Sequence, residues 1–215
     1  MNLIGVSGRI GSGKDLIGSI IQYLTSGSKE AFQTWNLCHL KSDEKWQIVK
    51  FADKLKECAS IITGITRADF ERVEVKNGLI SGNWGALTVR KFLQLFGTEV
   101  GRAIHSNFWI NALFSDYWEI ATNWDADGNS TVEAYPNWII TDCRFENEAE
   151  AILSRGGIMI RLQRNSNVSS DHTSETALDD YIGFNYYIDN RETTIDQLIH
   201  MVKDILIIEK IITKD

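Results

Sequence analysis

The sequence predicts an α/β protein built in three layers, a five-stranded parallel sheet covered by helices on both faces. Three features lead to that expectation. Five short segments are almost continuously apolar, as strands buried on both faces must be. Amphipathic helical patterns separate them. A glycine-rich turn joins the first apolar segment to the first helical one.

The strands are expected at 2–7 (NLIGVS), 47–51 (QIVKF), 137–142 (NWIITD), 157–162 (GIMIRL) and 186–189 (YYID). The first helix follows the glycine turn over 14–24, and a second begins ADKLKECASII with Asp53 as its N-cap. In TVRKFLQLFGTEVGRAIH the residues Val89, Phe92, Leu93, Phe96, Val100 and Ile104 form one apolar stripe, so a single helix is expected there. FWINALFSDYWEIA is expected to continue as helix. WDADGNS, at 124–130, carries glycine at its fourth position, whereas a calcium loop needs it at the sixth; it reads as an Asp-Gly turn. RFENEAEAILSR forms a further helix. The last one opens with Thr194 and Gln197 as a capping box.

At 215 residues the chain suits one domain, and a single proline with no Gly/Ser/Pro tract gives no linker. On this plan 1–62 and 136–215 form the core, and about 63–135 is a helical insertion. The polar run at about 164–178 is a short lid. Apolar runs are too short to span a bilayer, and no signal peptide precedes the first strand, so a cytoplasmic protein is expected. Cys38, Cys58 and Cys143 lack CxxC spacing and read as reduced core thiols. A net charge of −7 argues against nucleic-acid binding, so any anion must be met by a local cluster of basic residues.

GRIGSGK, from Gly8 to Lys14, matches G-x-x-x-x-G-K. Backbone N–H groups of Gly8, Ile10, Gly11, Ser12 and Gly13 would wrap a polyphosphate, which requires glycine torsions that a Cβ forbids. The helix beginning near Gly13 points its positive end at the same phosphates, and Lys14 reaches their terminal oxygens. Asp15 stands where such loops usually carry serine or threonine. It offers Mg²⁺ a charged oxygen, or simply favours the helix N-terminus. Asp142, at the end of an apolar strand, is the second candidate metal carboxylate, or else a partner of the loop backbone.

A second nucleotide needs bidentate donors for its phosphate and an edge or face for its base. In VRKFLQLFGTEVGRAIHSNFWI, Arg90 and Gln94 share a helical face, and Arg102 and Trp109 follow. Arg161 and Arg164 end the fourth strand, where a lid begins and developing phosphoryl charge would need neutralising; Arg164 reads equally as an ordinary surface residue.

GRIGSGKD, FADKLK, LQLFGTEVGR with Trp109, TDCRFENEAEAI and DHTSE together resemble the bacteriophage deoxynucleoside monophosphate kinase family. The resemblance covers most of the chain and implies an adenylate-kinase-like P-loop fold. It implies transfer of the γ-phosphoryl of ATP, with Mg²⁺, to a dNMP. It places Gln94, Arg102 and Trp109 near the acceptor, with Asp53 and Lys54 of FADKLK, and Arg144 of TDCRF at the phosphates. His172 and Glu175 belong to its last motif. Cys143 and Glu146 replace the hydrophobic residue and proline of the family pattern, leaving the arginine in place. A homodimer is compatible with this reading. The competing classes are a P-loop kinase of another small metabolite, such as dephospho-coenzyme A, and a nucleotide-switch ATPase. No NKxD motif accompanies the loop to support a switch.

Overall fold

The computed structural model of the chain describes residues 2–38, 45–118, 120–124, 130–164 and 176–214. These divide into two compact units, one of residues 1–49 with 117–215 and one of residues 50–116.

The first unit holds a five-stranded, all-parallel sheet in the order β2-β5-β1-β6-β7. Its strands are β1 (Leu3–Ser7), β2 (Trp46–Val49), β5 (Asn137–Cys143), β6 (Ile158–Gln163) and β7 (Tyr186–Asp189). All five expected strands are present. The second is shorter than expected at its end, because Lys50 caps the next helix and Phe51 begins it. Every residue of the central strand β1 is buried, which explains why NLIGVS has no polar alternation.

Successive side chains of β1 point to opposite faces. Ile4 and Val6 meet α1 (Lys14–Ser26), α2 (Phe32–Cys38) and α9 (Ile195–Ile208), through Ile17, Ile20, Trp35, Leu198 and Val202. On the other face, α8 (Glu146–Leu153) packs closely: Ile152 Cδ1 would lie 2.8 Å from a Cβ at Gly5. Truncating a core isoleucine such as Ile20 to alanine would cost about 2–5 kcal/mol. Thr194 and Gln197 form the expected capping box of α9: the Gln197 N–H donates to Thr194 Oγ1 at 3.3 Å, and the Thr194 N–H to Gln197 Oε1 at 2.9 Å.

The remaining strands, β3 (Ile120–Trp124) and β4 (Ser130–Ala134), pair antiparallel. The helix expected through SDYWEIA therefore stops early: IATNW is a strand, and its pairing with STVEA brackets the Asp-Gly segment, most of which lies outside the described residues. Cys143 is buried, whereas Cys38 and Cys58 are exposed, so only one of the three is a core thiol.

The second unit is helical, with α3 (Phe51–Thr63), α4 (Val73–Asn77), α5 (Val89–Gln94), α6 (Gly101–Ile104) and α7 (Phe108–Phe114). Ala59, Phe70, Ile80 and Val89 form its core. The expected single helix over 88–105 is instead α5, a π-helical turn at Leu95–Val100, and α6. Opening the ladder there leaves the Gly97 carbonyl to accept the Trp109 indole N–H at 2.8 Å. Asp53 is not the N-cap of α3. Lys50 holds that position, and Asp53 sits three residues on, its carboxylate accepting the Lys50 N–H at 2.9 Å.

Candidate active site

In the first unit, β1 runs out of the sheet centre into the glycine turn. Ser7 is level with Cys143 of β5 and Arg161 of β6, so three strands deliver their carboxyl ends to one place. In open parallel sheets that edge is where ligands bind.

The turn is compact for identifiable reasons. Gly11 and Gly13 adopt left-handed torsions, with φ of 75° and 98°. A Cβ at Gly8 would fall 2.5 Å from Ser12 Oγ and 3.1 Å from the Leu162 carbonyl oxygen. The Ser12 N–H donates to the Arg9 carbonyl at 3.1 Å, and its own carbonyl accepts from Asn190 Nδ2 at 2.9 Å. Ser12 Oγ is buried and has no hydrogen-bond partner among the described residues. Lys14 opens α1 and folds back, donating from Nζ to the carbonyls of Gly8 at 2.7 Å and Arg9 at 2.9 Å. Its charge is thereby held against the turn. Ile10, at the tip, is exposed.

Asp15 accepts a 2.7 Å hydrogen bond from the buried Thr141 hydroxyl, which ties the start of α1 to β5. Asp142 follows Thr141 and is half-buried. Among the described residues no group of three or more His, Cys, Asp or Glu side chains converges on a metal site, so Mg²⁺ held by the expected Asp15 and Asp142 would need most of its ligands from elsewhere. That ion characteristically takes one or two carboxylates and completes its shell with phosphate oxygens and water. Arg144, half-buried, is located by its backbone: its N–H donates to Glu148 Oε2 at 2.8 Å, and the Phe145 N–H to the same oxygen at 3.1 Å. Buried Glu148 thus caps α8 and shapes TDCRF without the proline of the family pattern.

Beside the turn is a cavity of about 560 Å³ lined by Arg9, Arg161, Arg164 and Arg191, with Phe184 and Tyr187 among the other residues. Arg164 donates to the Gly11 carbonyl at 3.3 Å. Arg161 is largely buried, donating to Ser7 Oγ at 3.0 Å and to Asp179 at 2.6 Å. Arg191 pairs with Asp189, whose carboxyl is held at about 2 by that guanidinium. His172, Glu175 and most of the expected lid lie outside the described residues.

The other candidates belong to the helical unit. Arg90 is exposed on α5 and donates to Asn77 Oδ1 at 3.1 and 3.2 Å; Gln94 follows one turn later and is half-buried. Arg102 donates to the Ser106 carbonyl at 3.3 Å. Trp109 is buried, edge-on to Phe96 and Phe108, and braces the π turn through Gly97. Lys54 pairs with Asp116 at 2.6 Å. Asp53 accepts from Arg67 at 2.5 Å, and Arg67 also reaches Glu71 at 2.6 Å. Burial pushes the Glu71 carboxyl up, but hydrogen bonds from Lys56 and Arg67 outweigh it and hold the group at about 2.

Sequence reasoning missed Arg9, Thr141, Asp179, Asn190 and the Arg67–Glu71 pair. Asn190 had a usable signal, because it directly follows YYID at the carboxyl edge of the sheet.

A parallel sheet whose central strand enters a glycine turn, with a lysine-headed helix behind it, defines a P-loop kinase fold. The family model for deoxynucleotide monophosphate kinase matches residues 37–202. The chain belongs to that family and is a kinase, a class that implies nucleotide substrates and ATP use. It is also similar to a protein of Acanthamoeba polyphaga mimivirus provisionally named a deoxynucleotide monophosphate kinase, with 26% identity over 202 residues covering 90% of each chain. The glycine turn lies ahead of the matched segment, so its assignment rests on its own geometry. Among the described residues, no helix is long and apolar enough to cross a membrane.

Proposed function

We propose that the protein transfers the γ-phosphoryl of ATP to a deoxynucleoside monophosphate, giving ADP and a deoxynucleoside diphosphate. The observation that carries this is the placement of the Lys14 ammonium on the Gly8 and Arg9 carbonyls of a turn whose Gly11 and Gly13 hold left-handed torsions. Family membership supplies the acceptor class.

In this reading Gly8, Ile10, Gly11 and Gly13 present their N–H groups to the triphosphate, Ser12 does so on releasing the Arg9 carbonyl, and Lys14 exchanges the Gly8 and Arg9 carbonyls for phosphate oxygens. Arg144 and Arg164 offset the charge on the transferring group, and Arg161 adds positive potential from behind the turn. Asp15 and Asp142 would hold Mg²⁺, which supplies charge neutralisation at the phosphate oxygens. The acceptor phosphate is already ionised at neutral pH. The protein's task is therefore alignment and charge neutralisation, with no proton to remove.

Arg90 and Arg102 are the acceptor's phosphate donors in this scheme, and Gln94 reads the base edge. Trp109 supports them from within the helical unit, because its indole is buried. Asp53 and Lys54, engaged by Arg67 and Asp116, brace the same unit. The reaction runs between small molecules, in keeping with the acidic charge of −7. The direct test measures ADP formation from ATP and Mg²⁺ against each dNMP and NMP in turn. Stimulation by deoxynucleotides supports the scheme. ADP release of equal rate without any nucleotide acceptor would refute it.

A further inference from the structure

Four residues around the glycine turn form a closed circuit that the phosphate-binding role does not require. Arg161 donates from Nη1 to Ser7 Oγ at 3.0 Å and from Nη2 to Asp179 Oδ1 at 2.6 Å. The other Asp179 oxygen accepts from Arg9 Nη2 at 2.6 Å. Ser7 and Arg9 are the two chain neighbours of Gly8. The side-chain path Ser7–Arg161–Asp179–Arg9 therefore closes on the backbone path Ser7–Gly8–Arg9. The carbonyls of Gly8 and Arg9 both accept from the Lys14 ammonium.

We propose that Asp179 is a positioning residue for the phosphate-binding turn, holding Arg9 at the rim and fixing the peptides that locate Lys14. The alternative is that its carboxylate competes with nucleotide phosphates for the two arginines, and the burial pattern decides against it. The Arg161 side chain is only 12% exposed and its guanidinium lies 5.5 Å from the Phe184 ring centroid. Withdrawing the carboxylate would leave that cation without its anionic partner in a poorly hydrated place. The Arg9 side chain, 54% exposed, is at the cavity wall, and among the described residues only Asp179 orients it. Asp179 itself is anchored: Leu178 beside it is buried, and the Asp179 N–H donates to the Thr176 carbonyl at 2.9 Å. One oxygen is thus spent on a buried partner and the other aims an exposed one.

The proposal deepens the kinase reading and rests on it only in that ATP occupies the glycine turn. Asp179→Asn, Arg9→Ala and the double variant are compared with the wild type for equilibrium ATP binding by calorimetry, and for KM of ATP and of the acceptor. Asn cannot accept from both guanidinium groups without turning its NH₂ toward one of them. Asp179→Asn is expected to weaken ATP roughly tenfold, the loss of one charge-assisted hydrogen bond, with the acceptor KM unchanged. Arg9→Ala is expected to give a similar loss, and the double variant no more than either. Unchanged ATP affinity in Arg9→Ala, losses that simply add, or an equal rise in the acceptor KM would each overturn the proposal. Arg9→Ala decides the matter even where Asp179→Asn fails to fold, since Arg9 is a surface residue. A wild type that binds ATP with this pattern but phosphorylates no nucleotide would overturn the kinase reading alone; one that binds no ATP would overturn both.

Discussion

Replacing Lys14 with alanine separates the fold from the chemistry. The Lys14 ammonium donates to the Gly8 and Arg9 carbonyls from the first position of α1. Both are partly solvated, so water can replace the lost donor, and the net cost to stability is about 1 kcal/mol. Alanine's higher helix propensity offsets part of it. A loss of that size lowers the melting temperature by about 2–4 °C in a chain this long. The catalytic consequence is of another order. Removing one preorganised donor from the developing charge of an oxyanion costs about 10²–10³ in turnover, or about 2.7–4 kcal/mol. Steady-state ADP release at saturating dNMP, read beside a thermal melt, gives both numbers from one preparation. A Lys14→Ala protein that melts near the wild type but keeps more than a tenth of its turnover would refute the role given to the turn.

Gly13→Ala forces a Cβ onto a residue with φ of 98° and brings it within 3.2 Å of Asn190 Nδ2; it is expected to destabilise the protein by about 1–2 kcal/mol, measured by urea titration, and to weaken ATP. Arg102→Ala is expected to raise the acceptor KM at least tenfold with the ATP KM unchanged; an effect confined to ATP would move that residue out of the acceptor set. The Glu71 carboxyl lies near 2 in the folded chain against an ordinary 4.5. A depressed folded value stabilises the native state above pH 4.5, and that contribution disappears as pH falls from 4.5 toward 2. Acid-denaturation curves of Glu71→Gln should therefore converge with the wild type at the acid end of that window and diverge above it.

The centre of the sheet was legible because β1, β5 and β6 are buried on both sides, so residues 2–7, 137–142 and 157–162 are nearly continuous in apolar residues, whereas the edge strands β2 and β7 are partly exposed. The turn was legible because left-handed torsions leave glycines in the sequence. The π turn was not, since Val89, Phe92, Phe96 and Val100 keep a helical spacing whichever carbonyl each N–H selects. IATNW was misread because it follows the helical FWINALF with no glycine or proline to mark the change. Asp53 reads equally well as an N-cap or as the third residue of a capping box, and only the Lys50 N–H distinguishes them. Asp179 was beyond reach: its partners are 18 and 170 residues away, and nothing local marks a carboxylate that joins them.

The most direct measurement follows the label. With [γ-³²P]ATP, Mg²⁺ and a mixture of the four dNMPs, chromatography should show the label moving into the β-position of one or more deoxynucleoside diphosphates, in step with ADP. Label appearing only as inorganic phosphate, at a rate indifferent to the dNMPs, would contradict the assignment of this chain as a deoxynucleotide phosphotransferase.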